Sequence, residues 1–150
     1  MNLDNLKRMA GPQLEELYLA PGPLELPTGC FRGHVLTWID SAAARQPLWR
    51  SILTVGFAWT PFGVDFDVRR WWFWHQRLAV GRFEPHIGPS RWRETETVCL
   101  HYHASRLPPP VRSVLYDEVK PLSSGLCLGI GGINAGRGEG DVFFFALQRT

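Results

Sequence analysis

Asp141-Val142-Phe143-Phe144-Phe145-Ala146-Leu147-Gln148 is the stretch on which the fold turns. Successive side chains of a strand point to opposite faces. Phe143, Phe145 and Leu147 therefore make one face, Val142, Phe144 and Ala146 the other, and both are apolar. Such a strand needs cover on both sides. A closed or nearly closed antiparallel barrel supplies it, with a lumen inside and helices across a mouth or wall.

Strand patterns continue outward from there. Leu126 to Ile133 precedes it, joined through the Gly-rich run Gly129 to Gly140 as a loose hairpin. Further back lie Val111 to Lys120, Arg93 to His103, a short Arg82 to Ile87, Arg70 to Val80 and Gly29 to Ile39. Pro108-Pro109-Pro110 reads as an extended stretch or turn. Two helical segments open the chain, because apolar residues recur at three and four from Leu3 to Leu19 and Gly11-Pro12 divides them. A further helix is expected over Ala42 to about Phe57, capped by Asp40 or Ser41 and bent at Pro47. The reading is one domain over residues 1–150, mainly β: an antiparallel barrel of at least six strands with two N-terminal helical segments.

Composition narrows the function. Sixteen basic against 14 acidic residues leave +2, too little for a general nucleic-acid binder. The apolar stretch near Ile52 to Trp59 is far short of the ~20 residues of a transmembrane helix. Met1 to Arg8 has no apolar run of a secretory signal, and the three cysteines are odd in number. Cys30, Cys99 and Cys127 are thus expected as free thiols of a cytoplasmic protein. Seven Trp, nine Phe and three Tyr are many for this length, and an aromatic-walled cavity with a few polar groups is the usual form of a small-molecule site.

Four motifs come in a telling order. Gly29-Cys30-Phe31-Arg32-Gly33 has the G-x-(aromatic)-x-G form that opens lipocalin-like barrels. Trp72-Phe73-Trp74-His75-Gln76-Arg77-Leu78 follows, then Tyr116-Asp117, then Phe143 to Leu147. In this order they are similar to the bacterial GXWXG family, over about residues 14 to 149. Phe31 stands where that family has Trp, and His75-Gln76 where it has Gly-Lys. The resemblance implies a calycin-like barrel and brings no agreed catalytic residues.

Candidate residues come from the strand patterns. Cys99, His101 and His103 share a face. No carboxylate or third His follows at a metal-ligand spacing, so no metal and no cofactor is expected. Asp117 lies on the face of Leu115 and Val119, while Tyr116, Glu118 and Lys120 take the other. A turn centred near Pro109 sets His101 opposite Asp117, where the two could act as acid and base. The ligand-binding candidates are Trp38, Trp72, Trp74, His75, Tyr102, Tyr116 and Phe144. Alternation lets either Trp72 and Trp74 or Trp71 and Phe73 face inward. The first pair is favoured because Leu78 and Val80 continue its face.

Three functions fit these features. The first is binding of an apolar or aromatic small molecule, such as a lipid, terpenoid or polyketide, in the barrel. The second is a cofactor-independent isomerase or cyclase of natural-product type in the same cavity, holding one conformer of its substrate. The third is an apolar 48–62 face that docks a partner or a membrane surface. A homodimer is compatible with all three.

Overall fold

The computed structural model describes residues 1–42, 45, 51, 55–56 and 60–150, apart from the side chains of residues 76 and 78–80. Three short helices are described, α1 (Leu3–Arg8), α2 (Gly11–Leu19) and α3 (Pro109–Val114). Nine strands follow the chain as β1 (Cys30–Trp38), β2 (Phe62–Asp65), β3 (Arg70–Phe73), β4 (His75–Arg82), β5 (Glu84–Pro89), β6 (Glu96–His101), β7 (Leu115–Ser123), β8 (Leu126–Ile133) and β9 (Asp141–Arg149). They form one antiparallel sheet in the order β4-β3-β2-β1-β9-β8-β7-β6-β5. The two edge strands, β4 and β5, are consecutive in the chain with only Phe83 between them. The sheet therefore has to curl until its edges meet, which makes the nearly closed barrel.

The double-sided apolar pattern of β9 is resolved by this arrangement. Phe143, Phe145 and Leu147 join Phe31, Val64 and Phe83 inside the bore. Phe144 and Ala146 face outward and pack with Leu6, Leu14 and Tyr18 of the N-terminal helices, whereas Val142, expected on their face, joins the inner cluster because β9 pairs irregularly with β8 between Asp141 and Phe143. The helices thus lie on the wall of the barrel. Capping explains why so short a segment as α1 is helical: the Asn2 side chain accepts from the Asn5 N–H at 3.0 Å, and the Asn5 side chain accepts from the Asn2 N–H at 3.1 Å.

A buried polar clamp fixes α2 against β7. Glu118 is fully buried and accepts hydrogen bonds from the Tyr18 hydroxyl at 3.0 Å, the Ser90 hydroxyl at 2.6 Å and the Arg91 backbone N–H. The Lys120 ammonium donates to the Tyr18 carbonyl and to Thr95 Oγ1, both at 2.8 Å. Arg93 bridges Glu15 of α2 to Asp141 at the start of β9.

The opening glycines have separate physical reasons. Gly29 sits at φ +87°, where L side chains are rare. At Gly33 a Cβ would stand 2.0 Å from the Phe62 ring, so the ring occupies the space a side chain would fill. Gly63 is less forgiving, because its Cβ would meet the Phe31 carbonyl oxygen at 2.1 Å and the Trp72 ring at 2.2 Å. Backbone cannot swing aside. Gly63→Ala is expected to cost about 1–3 kcal/mol by overpacking, read as a lowered urea midpoint. An unchanged midpoint would contradict this packing.

Three sequence expectations need correction or placement. Arg70 to Val80 is a hairpin and not one strand, since the chain reverses at Trp74 (φ +58°) and Phe73 pairs with His75. Pro109 and Pro110 begin a helix in place of an extended stretch, so β7 starts only at Leu115. Proline is favourable in a first helical turn, where its missing N–H has no partner to lose. The helix expected over Ala42 to Phe57, and most of the 48–62 face, falls outside the described residues.

Candidate functional site

The bore is not filled throughout. A cavity of about 250 Å³ lies where the connection from β6 to β7 crosses the barrel. Phe62, Trp71 and Phe73 come to it from β2 and β3, and Phe143 from β9. Leu107, Val111 and Leu115 close it from the β6–β7 connection and the start of β7. Glycine lets two of the lining side chains lie close on β8: a Cβ at Gly131 would meet the Phe143 ring at 2.6 Å and Asp117 Oδ1 at 2.9 Å. The same relation holds one pair along, where Gly129 pairs with Phe145 and its Cβ would sit 2.3 Å from that ring.

Polar groups in this apolar wall are few and adjacent. The Tyr102 hydroxyl donates a hydrogen bond to Asp117 Oδ2. The Gly132 backbone N–H also favours the Asp117 carboxylate. Burial outweighs both and pushes the carboxyl up to about 7, with a small further push from Glu118. Tyr102 is held well above the usual phenol range, first by burial and then by the neighbouring Asp117 charge. It therefore stays a neutral donor. The Trp71 indole N–H lies close enough to the Tyr102 oxygen to favour its anion slightly. It makes no hydrogen bond of normal geometry, although Trp71 is only 8% exposed.

The sequence candidates divide sharply between the two faces. Tyr102 and Asp117 line the cavity. Trp38 is partly buried and packs edge-on against Phe143, at 5.8 Å between ring centres. Tyr116 and Phe144 belong to the outer cluster beneath the helices. Trp72 is buried and covers Gly63, while Trp74 is 66% exposed at the hairpin tip. His75 is exposed beside it and accepts from the Arg77 N–H at 3.1 Å. The inward pair is thus Trp71 and Phe73, the alternative set aside on sequence. The face of Trp72 could not be extended to Leu78 and Val80 because the chain turns between them.

His101 and Asp117 do not pair. The register sets Leu100 opposite Asp117 and His101 opposite Tyr116, one residue away from a turn centred on Pro109. A one-residue slip moves every side chain to the other face. His101 accordingly stands outside the barrel, stacked between His86 and His103 at ring-centre distances of 4.8 and 5.5 Å. The rings lie within 8° and 12° of parallel, so they meet by their faces, and no metal-binding cluster occurs among the described residues. Burial, then His86 and His103, lower the His101 pKa. The three cysteines are unpaired, and burial pushes the Cys127 thiol up to about 12, which leaves it a poor nucleophile.

Leu107 and Val111 are the lining positions least visible in the sequence. One signal did exist: Gly129 and Gly131 alternate in β8 as Phe143 and Phe145 do in β9, the pattern of small residues facing large ones.

No family model matches the chain, and no curated protein matches it. Among solved structures, a crystal structure of a protein from Thermomonospora curvata is similar over 99% of this chain and 93% of that one, with a TM-score of 0.50 and 16% identity. At that identity the likeness is one of fold, and it supports a barrel for this chain.

Proposed function

We propose that the barrel binds a compact apolar or aromatic small molecule in the cavity beside Tyr102 and Asp117. The observation that carries this reading is the cavity itself, about 250 Å³ of aromatic and aliphatic wall with its polar groups gathered at one place. A cavity of about 150 Å³ holds benzene, so this one has room for on the order of ten non-hydrogen atoms. A monocyclic terpenoid or a small aromatic is of that size; a long lipid chain is not. The order of the four sequence motifs supports placing the chain with the GXWXG family, the charge balance supports a protein without nucleic-acid partners, and the odd number of cysteines supports a cytoplasmic one.

Naphthalene is a suitable probe. It is expected to quench tryptophan emission saturably, and Leu107→Trp, which fills the cavity from a half-buried loop position, should weaken it at least 10-fold, or about 1.4 kcal/mol. Trp74→Ala should leave the affinity unchanged, since that ring lies in solvent. Equal affinity in Leu107→Trp and wild type would overturn the proposal.

One observation favours the second reading, a cofactor-independent isomerase or cyclase. An acid that titrates near neutrality inside an apolar cavity suits proton transfer, and Asp117 is such a group. His101, on the outer face, has no part in that chemistry.

A further inference from the structure

Asp117 is the one acidic side chain on the cavity wall, and nothing positive stands against it. Among the described residues no Lys, Arg or His lines the cavity, and Asp117 makes no ion pair. The Tyr102 hydroxyl and the Gly132 N–H bring it hydrogen bonds and no charge. The side-chain charge that does act on it, that of Glu118, has its own sign. Asp117 is only half-buried and lines the cavity, so a guest can reach it. A carboxylate has about four acceptor sites, and two donors leave room for a ligand N–H. Buried charges in proteins are paired, because an isolated carboxylate in apolar surroundings is costly. A guest hydroxyl would add a hydrogen bond and leave the charge unbalanced, whereas an ammonium supplies both. The rest of the wall suits such an ion. Phe62, Trp71, Phe73 and Phe143 line it, and aromatic rings attract a cation where aliphatic walls do not.

Resting on the cavity as the binding site, we infer that its ligand is a compact organic amine, bound as the ammonium ion with an N–H on the Asp117 carboxylate and its hydrocarbon part among the aromatic rings. A proton is the other way to balance that carboxylate, and burial accordingly pushes the carboxyl up to about 7. An amine of this size carries its charge at one end, as the wall carries its polar groups at one place.

Phenethylamine tests this, with phenethyl alcohol, ethylbenzene and phenylacetate as comparators of similar size. Each is measured by titration calorimetry and by displacement of naphthalene at pH 8, where Asp117 is ionised and an alkylamine is still protonated. The amine should bind at least about 10-fold more tightly than the alcohol or the hydrocarbon, or about 1.4 kcal/mol, and phenylacetate should bind most weakly. Asp117→Asn should erase the amine's advantage and leave ethylbenzene bound as before. Should Asp117→Asn misfold, the order of the four compounds on the wild-type protein still decides, together with Leu107→Trp, which should weaken the amine along with ethylbenzene. An amine no tighter than the alcohol overturns the inference, since Asp117 would then serve a ligand hydroxyl or none. An advantage that survives Asp117→Asn, or amine binding untouched by Leu107→Trp, also overturns it, because the ammonium would then sit elsewhere. In each of these cases saturable binding of naphthalene or ethylbenzene leaves the binding proposal standing. No saturable binding of any of the four, nor of naphthalene, removes the binding proposal and the inference with it.

Discussion

Asp117→Asn is expected to be more stable than the wild-type protein at pH 8 by about 4 kcal/mol, and no more stable at pH 3. The sign follows from the direction of the shift. Burial raises the carboxyl from 3.8 to about 7, so the folded state holds a proton between those values that the unfolded chain has released. The stability contributed by that proton is full below about pH 4 and falls as pH rises, until it is gone above about 7. At 1.36 kcal/mol per pH unit the interval amounts to roughly 4 kcal/mol. Asparagine keeps the shape and cannot ionise. Urea unfolding at pH 3, 5.5 and 8 (about the floor, middle and top of the interval) checks it. A wild-type protein no less stable at pH 8 than at pH 5.5 would show that Asp117 is not buried as described. A residue that destabilises its own fold near neutrality is a mark of a working site.

The next residue along behaves in the opposite sense. Glu118→Ala is expected to lower stability by about 3–5 kcal/mol and the thermal midpoint by roughly 6–20 °C. Glu118 faces outward beneath α2, where the Tyr18 and Ser90 hydroxyls and the Arg91 N–H converge on it. Truncation leaves at least two of these donors buried without an acceptor, since Tyr18 alone retains a second partner, Thr97, at 2.9 Å. Glu118→Gln, which keeps the acceptor oxygen, should lose less. Differential scanning calorimetry of the two variants decides it, and equal losses would mean that charge and not hydrogen bonding holds the clamp. Two carboxylates adjacent in sequence thus differ because β-strand alternation puts one in a cavity poor in donors and the other among three.

The barrel was legible because its signal repeats. Apolar residues on both faces of β9, a run of strand patterns and two amphipathic helical segments all demand the same enclosure. The site was less legible because it depends on parity, and parity is lost at any turn whose length is misjudged. Trp71 was separable from Trp72 only by knowing that the chain reverses at Trp74. His101 was placed beside Asp117 by assuming a symmetric turn at Pro109, where α3 in fact makes the connection one residue uneven. Asp117 could be placed on the face of Leu115 and Val119 from alternation alone, and it lines the cavity together with Leu115. The orphaned Trp71 N–H has no sequence signature, since an unmade hydrogen bond is a property of neighbours in space.

The barrel is also a split ring. Among the described residues β4 and β5 share no ladder hydrogen bonds, and Phe83, which joins them in the chain, packs on Phe66 and Tyr102 at ring-centre distances of 5.7 and 6.4 Å. A ring cut once changes its bore by flexing at the cut. Here that motion trades ring contacts and breaks no backbone ladder, so it belongs to the low end of the protein's opening energies. The cut reaches the cavity through Tyr102 and Gly81. Phe83 stands at that cut, so its replacement by a smaller residue is expected to loosen the wall there, read as faster amide hydrogen exchange in β4 and β5.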